Sequence, residues 1–345
     1  MKRRKIKLME VCGTHTMAIA SSGIKSLLPP HVELISGPGC PVCVTTQSDI
    51  DRAMMVARQP NVIFTTFGDM IRVPGSQGSL EDLRRSRYDI RIVYSCMDAL
   101  HIARHNPQKN IVFMGVGFET TAPTVAETIL EAQKQRIDNF FVLANFKLVI
   151  PALDQIAKSK KLKISGFICP GHVSVITGSV PYQKFAKRYK KPCVIMGFER
   201  IDLLKGITRL MIQVQRGQHK VEIEYQRAVQ KEGNKKAQNV LDQVFQVTDV
   251  SWRGLGKIKS SGLKLRKKYE KFSAEKRFPV KVPKSRLIPG CICGDVLQGL
   301  KYPKECQLFR RVCTPQNPIG PCMVSSEGSC AAAYQYEGWT GEALS

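Results

Sequence analysis

Val32-Glu-Leu-Ile-Ser36 runs directly into Gly37-Pro-Gly-Cys40-Pro-Val-Cys43. The apolar positions Val32, Leu34 and Ile35 predict a short strand. The glycine and proline residues after it fix a tight turn and let the backbone come close to a neighbour. Cys40 and Cys43 stand in a C-x-x-C spacing on that turn, within bonding reach of each other or of one metal. A second pair of donors, Cys12 and His15 in Cys12-Gly-Thr-His15, also follows a short apolar run.

Outward from this stretch the same pattern repeats. Val62-Ile-Phe-Thr-Thr-Phe67 leads into Gly68-Asp69-Met70, and Ile111-Val-Phe-Met114 into Gly115-Val-Gly-Phe-Glu119. Ile164-Ser-Gly-Phe-Ile-Cys169 leads into Pro170-Gly171-His172, and Cys193-Val-Ile-Met196 into Gly197-Phe-Glu199. Ile90–Tyr94 and Phe140–Leu143 are further runs of this kind. Helical patterns lie between them, at Ile50–Arg58, Met97–His105 and Pro123–Arg136. Short buried strands alternating with helices predict an α/β fold with parallel sheets. Two blocks are expected, residues 1–108 and 109–227. Residues 228–285 read as helical and polar, broken at Trp252-Arg-Gly-Leu-Gly256. With the Cys-, Gly- and Pro-rich remainder they make a third module, 228–345. In parallel sheets functional groups collect on loops at the C-terminal strand ends, and every unusual motif here falls at such a place.

Composition is that of an ordinary globular chain of 345 residues, 43% hydrophobic and 23% charged. No apolar run approaches a membrane span, and the basic start, Met1–Lys7, has no long apolar stretch behind it. The expected location is therefore the cytoplasm. Twelve cysteines in a reducing compartment suggest metal or redox chemistry before structural disulfides. Net charge is +25, and residues 251–290 alone carry 13 Lys or Arg against two Glu. An acidic partner would use such a run, but no stacking aromatics interleave it, so it reads first as a solvated surface, and nucleic acid is not expected as a partner.

Half the cysteines fall within 40 residues: Cys291, Cys293, Cys306, Cys313, Cys322 and Cys330. Thiolates on Gly- and Pro-rich loops suit an iron–sulfur cluster, whose ligands converge without regular backbone. Six sulfurs exceed the needs of one four-iron cluster by two, and a cluster beside a dithiol accounts for all of them. Zinc is the plainer alternative, although its paired C-x-x-C knuckles are absent. Cys12, His15, Cys40 and Cys43 could bind a metal or exchange disulfides. Cys96, Cys169 and Cys193 lie in or beside apolar strands and read as core packing. Thr66-Phe-Gly-Asp69-Met-Ile-Arg72-Val-Pro-Gly-Ser76 offers charge on a loop of small residues. Glu119-Thr-Thr121 opens a helix, where an N-cap would explain the threonines alone. His172 sits at another strand end. No Walker A sequence, dinucleotide fingerprint or G-x-S-x-G is present, so nucleotide-driven chemistry is not expected of this chain.

Together these motifs resemble the HypD family, hydrogenase maturation factors that help build the Fe(CN)2CO part of the [NiFe] hydrogenase site. The residues that carry the resemblance are Cys12–His15, Gly37–Thr45, Thr66–Ser76, Gly117–Pro123, Pro170–Ser174 and the C-terminal cysteines, in one order from about Met9 to Tyr336. One departure is Met17, where many relatives carry a second histidine. The resemblance implies two similar three-layer α/β domains facing each other and a mainly helical C-terminal module with a [4Fe-4S] cluster. It implies partners too, a small HypC-type chaperone and a HypE-type cyanide donor. By likeness, Cys12 is the iron ligand, Cys40 and Cys43 a redox-active pair near it, Cys291, Cys306, Cys313 and Cys330 the cluster ligands, and Cys293 with Cys322 a dithiol beside the cluster.

The expected mechanism is that of a scaffold and electron relay rather than a turnover enzyme. Transient iron carrying CN and CO sits at Cys12. Electrons pass from the cluster through Cys293–Cys322 to Cys40–Cys43. His15, Asp69, Glu119 and His172 supply hydrogen bonds or protons around the iron. The main rival is an iron–sulfur-dependent protein disulfide reductase, and a nucleic-acid-binding metalloprotein is the more distant one.

Overall fold

The structure, a computed structural model, describes residues 5–159, 161–282 and 288–338. The first residues of the basic start, residues 283–287 of the basic stretch and the end of the C-terminal module lie outside the described residues.

Two parallel sheets organise the chain. The first has the order β2-β1-β7-β8-β9, with β1 at Ile6–Glu10, β2 at Val32–Ser36, β7 at Gly166–Pro170, β8 at Cys193–Met196 and β9 at Val221–Ile223. The second has the order β4-β3-β5-β6, with β3 at Val62–Thr66, β4 at Ile90–Ile92, β5 at Asn110–Gly117 and β6 at Phe140–Phe146. The strands are apolar because both faces of each sheet are covered. Phe64, Val112, Met114 and Leu143 of the second sheet and Met9, Ile35, Phe167 and Ile195 of the first meet in one central core. Helices Gln47–Ala57 and Val149–Ala157 contribute to that core as well. The outer faces close separately, against Gly13–Ser21 and Arg200–Gln215 on the first sheet and Cys96–His105 and Ala122–Lys134 on the second.

The expected division at 108/109 does not match the strand partners. The first sheet is assembled from residues 6–36 and 166–223, and the second is contained wholly within residues 62–146. The chain leaves the first sheet after β2 and returns at β7, where Leu8 pairs with Gly166. Apolar runs mark strands but do not name their neighbours, so two consecutive halves and an inserted half look alike in sequence.

Residues 228–285 also differ from the helical expectation. After helix Lys235–Val244 comes an antiparallel hairpin, β10 at Phe245–Trp252 and β11 at Gly256–Leu265. Its period-two pattern on β10, with Thr248, Val250 and Trp252 turned inward and Val247, Asp249 and Ser251 exposed, is that of a strand pair with one solvated face. The hairpin lies along the β6 edge, joined by the Lys147–Gly262 bridge and by Leu148 N–H donating to Ser261 O at 2.8 Å. Lys257, Lys259, Lys264 and Lys268 stand exposed on it or just beyond it, as a solvated basic face should. Cys96, Cys169 and Cys193 are buried in the cores, as expected. Among the described residues no helix is long and apolar enough to cross a membrane.

Candidate metal and thiol site

Cys12 lies two residues past β1 and is the N-cap of helix Gly13–Ser21. Burial pushes its thiol up to about 12; the His15 backbone N–H and Thr14 pull it down, and the Glu327 carboxylate adds to the upward push. The free thiol is therefore protonated at neutral pH, and a cation bound there displaces a proton. His15 is fully buried, and its Nε2–H donates to Gly197 O at 3.0 Å and Met196 O at 3.2 Å. Two carbonyl acceptors fix the tautomer, leaving Nδ1 with a lone pair, buried and without a partner. Burial lowers the His15 pKa to about 4. The ring packs on Phe198 at 4.7 Å, and the exposed His172 also stacks on Phe198, at 4.0 Å.

The Cys40 turn is pressed against Cys12. Gly13 N–H donates to Gly39 O at 2.8 Å and Gly37 N–H to Glu10 O at 2.7 Å. A Cβ on Gly39 would overlap the Cys12 backbone nitrogen. Gly39→Ala is therefore expected to separate the two loops, at a cost above about 4 kcal/mol if the fold is kept intact. Urea unfolding and iron content, read on the same preparation, check this; an unchanged midpoint with unchanged iron would show that the contact is dispensable. Cys40 and Cys43 are joined as a disulfide, with Cα atoms 5.2 Å apart, and Cys43 N–H donates to Cys40 Sγ at 3.2 Å.

Residues 315–327 of the C-terminal module reach across both sheets. Cys43 Sγ lies 3.9 Å from Pro321 O. Ser325 Oγ donates to Asp69 Oδ2 at 2.9 Å, and Arg72 donates to Pro315 O at 2.7 Å. Thr14 Oγ1 donates to Glu327 Oε1 at 2.6 Å. Asp69 and Arg72 thus moor the module to the second sheet, and Glu327 moors it to the Cys12 loop.

All six C-terminal cysteines line one pocket, walled by Leu308, Phe309 and Met323. Cys293 Sγ and Cys322 Sγ are 2.8 Å apart. Hydrogen bonds from Cys291 and then Cys322 hold the Cys293 thiol below the usual range, and the charge of Arg253 pulls the same way; Cys322, as donor, is pushed up. Ile319 N–H donates to Cys313 Sγ at 3.4 Å. Among the described residues no group of three His, Cys, Asp or Glu is set to hold a single metal ion. The sulfurs of an iron–sulfur cluster each bind a different iron and so stand apart around it, and the donor set, thiols in an apolar pocket with a backbone N–H on one sulfur, fits that group.

Glu119 stands elsewhere, past the end of β5. Its Oε1 accepts from Val149 N–H at 3.0 Å, and its buried Oε2 has no partner. Burial raises its pKa to about 7. The folded state therefore holds a proton that the unfolded carboxyl releases near its ordinary value of 4.5. The stability this contributes is full below pH 4.5 and lost as pH rises to 7, up to about 3 kcal/mol. His15 works in the opposite sense, gaining stability from about pH 4 to 6.5. Comparing Glu119→Gln with the parent isolates the first effect: the difference in unfolding free energy should move by up to about 3 kcal/mol in favour of the glutamine variant between pH 4.5 and 7. A pH-independent difference in urea titrations would return Glu119 to the ordinary carboxylates.

The sequence reading missed Phe198, Glu327 and Arg253. Phe198 and Arg253 sit in recognisable motifs, Gly197-Phe-Glu199 and Trp252-Arg-Gly-Leu-Gly256, which by themselves assign them no role. Glu327 has no local signal, since it meets Thr14 across 313 residues.

Fold and site define a thiol-rich α/β protein whose cysteine module is docked on two parallel sheets, and comparison with known proteins places that class among the hydrogenase maturation factors. The family model described as "HypD: Hydrogenase formation hypA family" matches residues 1–337, and the chain belongs to the HypD family. It is 45% identical to hydrogenase maturation factor HypD of Escherichia coli K12 over 341 residues, covering 99% of this chain and 91% of that protein. It is 45% identical to hydrogenase maturation factor HypD2 of Bradyrhizobium diazoefficiens, covering 97% and 90%. Against HypD of Cupriavidus necator it is 44% identical, covering 96% and 90%.

Proposed function

We propose that this maturation factor is the scaffold and redox relay on which the Fe(CN)2CO group of [NiFe] hydrogenases is assembled, in the cytoplasm, with a HypC-type small chaperone and a HypE-type cyanide donor. The observation that carries the reading is the line of sulfurs from the six-cysteine pocket, through the Cys293–Cys322 contact and Pro321, to Cys43 and the Cys12 loop. Iron is the cargo, held by Cys12 with a thiolate from the chaperone, a soft donor set suited to iron carrying CN and CO. The buried, unpartnered Nδ1 of His15 is an acceptor left over for a group brought in with that cargo.

A [4Fe-4S] cluster held by Cys291, Cys306, Cys313 and Cys330 supplies single electrons when bound. This chain's own thiols do the rest by exchange. Cys322 attacks Cys43 Sγ, its proton passing to Cys293, and Cys40 leaves as a thiolate on which the Cys43 N–H is already aimed. Cys293 then attacks Cys322 of the mixed disulfide and its proton goes to the released Cys43. The Cys40–Cys43 pair gains two electrons and Cys293–Cys322 becomes the disulfide. The reduced pair beside Cys12 keeps the cargo iron ferrous, the state that binds CO and CN best.

The test is infrared spectroscopy of the anaerobic protein co-purified with its chaperone, with iron and sulfide quantified on the same sample. CN and CO bands with iron beyond the roughly four atoms of one cluster support the reading. Cluster iron alone, with no bands, moves the function to a disulfide reductase acting on another protein.

A further inference from the structure

The hairpin tip Trp252-Arg253-Gly254 touches both thiol pairs' surroundings at once. Arg253 N–H donates to Val44 O at 2.9 Å, its Nε–H to Thr45 O at 2.9 Å, and its Nη1 to Gln47 Oε1 at 3.2 Å. Three bonds from one residue therefore hold the segment that directly follows Cys43. On the other side, Gly254 lies against Gly294, the residue after Cys293; a Cβ on Gly254 would come within 2.6 Å of Gly294 O, and its φ of +80° is one that glycine adopts freely. The tip is itself held. Trp252 is buried, stacks on Phe118 of the Gly117-Phe-Glu-Thr-Thr121 motif, and donates Nε1–H to Ser261 Oγ at 3.0 Å. Lys147 Nζ, also buried, donates to Ser251 O at 2.9 Å and faces Asp49 Oδ2 at 3.5 Å. Arg253 Nη2 is buried and has no partner.

From this geometry we propose that Arg253 is a positioning residue for thiol exchange: by clamping the Val44–Gln47 segment while its neighbour abuts Gly294, it sets the separation of Cys40–Cys43 from Cys293–Cys322. The inference rests on the relay reading above and adds a residue to it. Exchange needs the attacking sulfur close to, and in line with, the disulfide, and a misplacement of about 1 Å costs on the order of a hundredfold in rate. The planar guanidinium suits the task, since its rigid fork fixes the directions of two acceptors at once, whereas a lysine ammonium is a compact charge on a flexible stem.

The experiment uses the full cluster-loaded chain with Cys40–Cys43 oxidised. Titanium(III) citrate, a one-electron reductant, is added anaerobically, and reduction of the pair is followed by thiol alkylation and mass spectrometry. Arg253→Gln is expected to slow this reduction at least about tenfold, with cluster content, unfolding midpoint and the rate with dithiothreitol near those of the parent. Arg253→Lys should recover only part of the loss, and Gly254→Ala, which leaves the arginine in place, should slow the same step. A Gln variant within about twofold of the parent overturns the proposal. So does an equal slowing with dithiothreitol, which would make Arg253 a plain support of the turn, and so does full rescue by lysine, which would leave charge as its only contribution. Cys322→Ser in the same assay separates the two levels: if that variant still reduces Cys40–Cys43 at the parental rate, the relay itself fails, whatever Arg253 does.

Discussion

Cys12→Ala is expected to remove the CN and CO bands from the co-purified complex entirely while leaving about four irons and four sulfides per chain in place. The effect is local. Cys12 lies just past β1, caps the first helix and faces the Cys40 turn, whereas the six-cysteine pocket is built by residues 291–330. Alanine deletes the sulfur but keeps the backbone that Gly13 and Gly39 share. The thiol it removes is neutral before loading, so the variant introduces no uncompensated charge. Infrared spectra and iron analysis of parent and variant, purified side by side, decide the matter. Bands that survive in the variant would place the cargo on another residue, and loss of the cluster as well would mean that the two centres are not separable.

Cys322→Ser carries the second large effect. Serine keeps the size and a hydrogen-bonding atom beside Cys293, but its oxygen cannot form the mixed disulfide. Cys40–Cys43 should then stay oxidised under titanium(III) citrate and still yield to dithiothreitol, with cluster iron unchanged. Cluster loss would instead make Cys322 a ligand and require another cysteine as its partner in the dithiol.

Much of this was legible in the chain. Strands covered on both faces must be apolar throughout, so β3, β5, β7 and β8 announce themselves, and the residues just past them, Asp69, Glu119, His172 and Phe198, are placed at strand ends without any coordinates. What the runs could not announce was partnership. Leu8 pairs with Gly166 because of how the whole chain returns, and nothing near Leu8 says so. The hairpin 245–265 was obscured by its lysines, which solvate the outer face and dilute the period-two pattern. The roles of Asp69 and Arg72 were hidden for a related reason. Both residues stand out in the sequence, but their partners Ser325 and Pro315 lie some 250 positions away. A loop charge that docks a module looks, in sequence, the same as one that serves a ligand.

The return of the chain to its first sheet also sets an order of events on the ribosome. Residues 62–146 can complete their sheet while later residues are still being made. β1, the strand that leads to Cys12, then has only β2 beside it. Its second neighbour arrives with Gly166–Pro170, the carbonyls that hold His15 arrive with Met196 and Gly197, and Glu327 comes close to the end. The nascent chain thus exposes its first thiol early and encloses it last, so the Cys12 loop gains its full set of neighbours only late in synthesis.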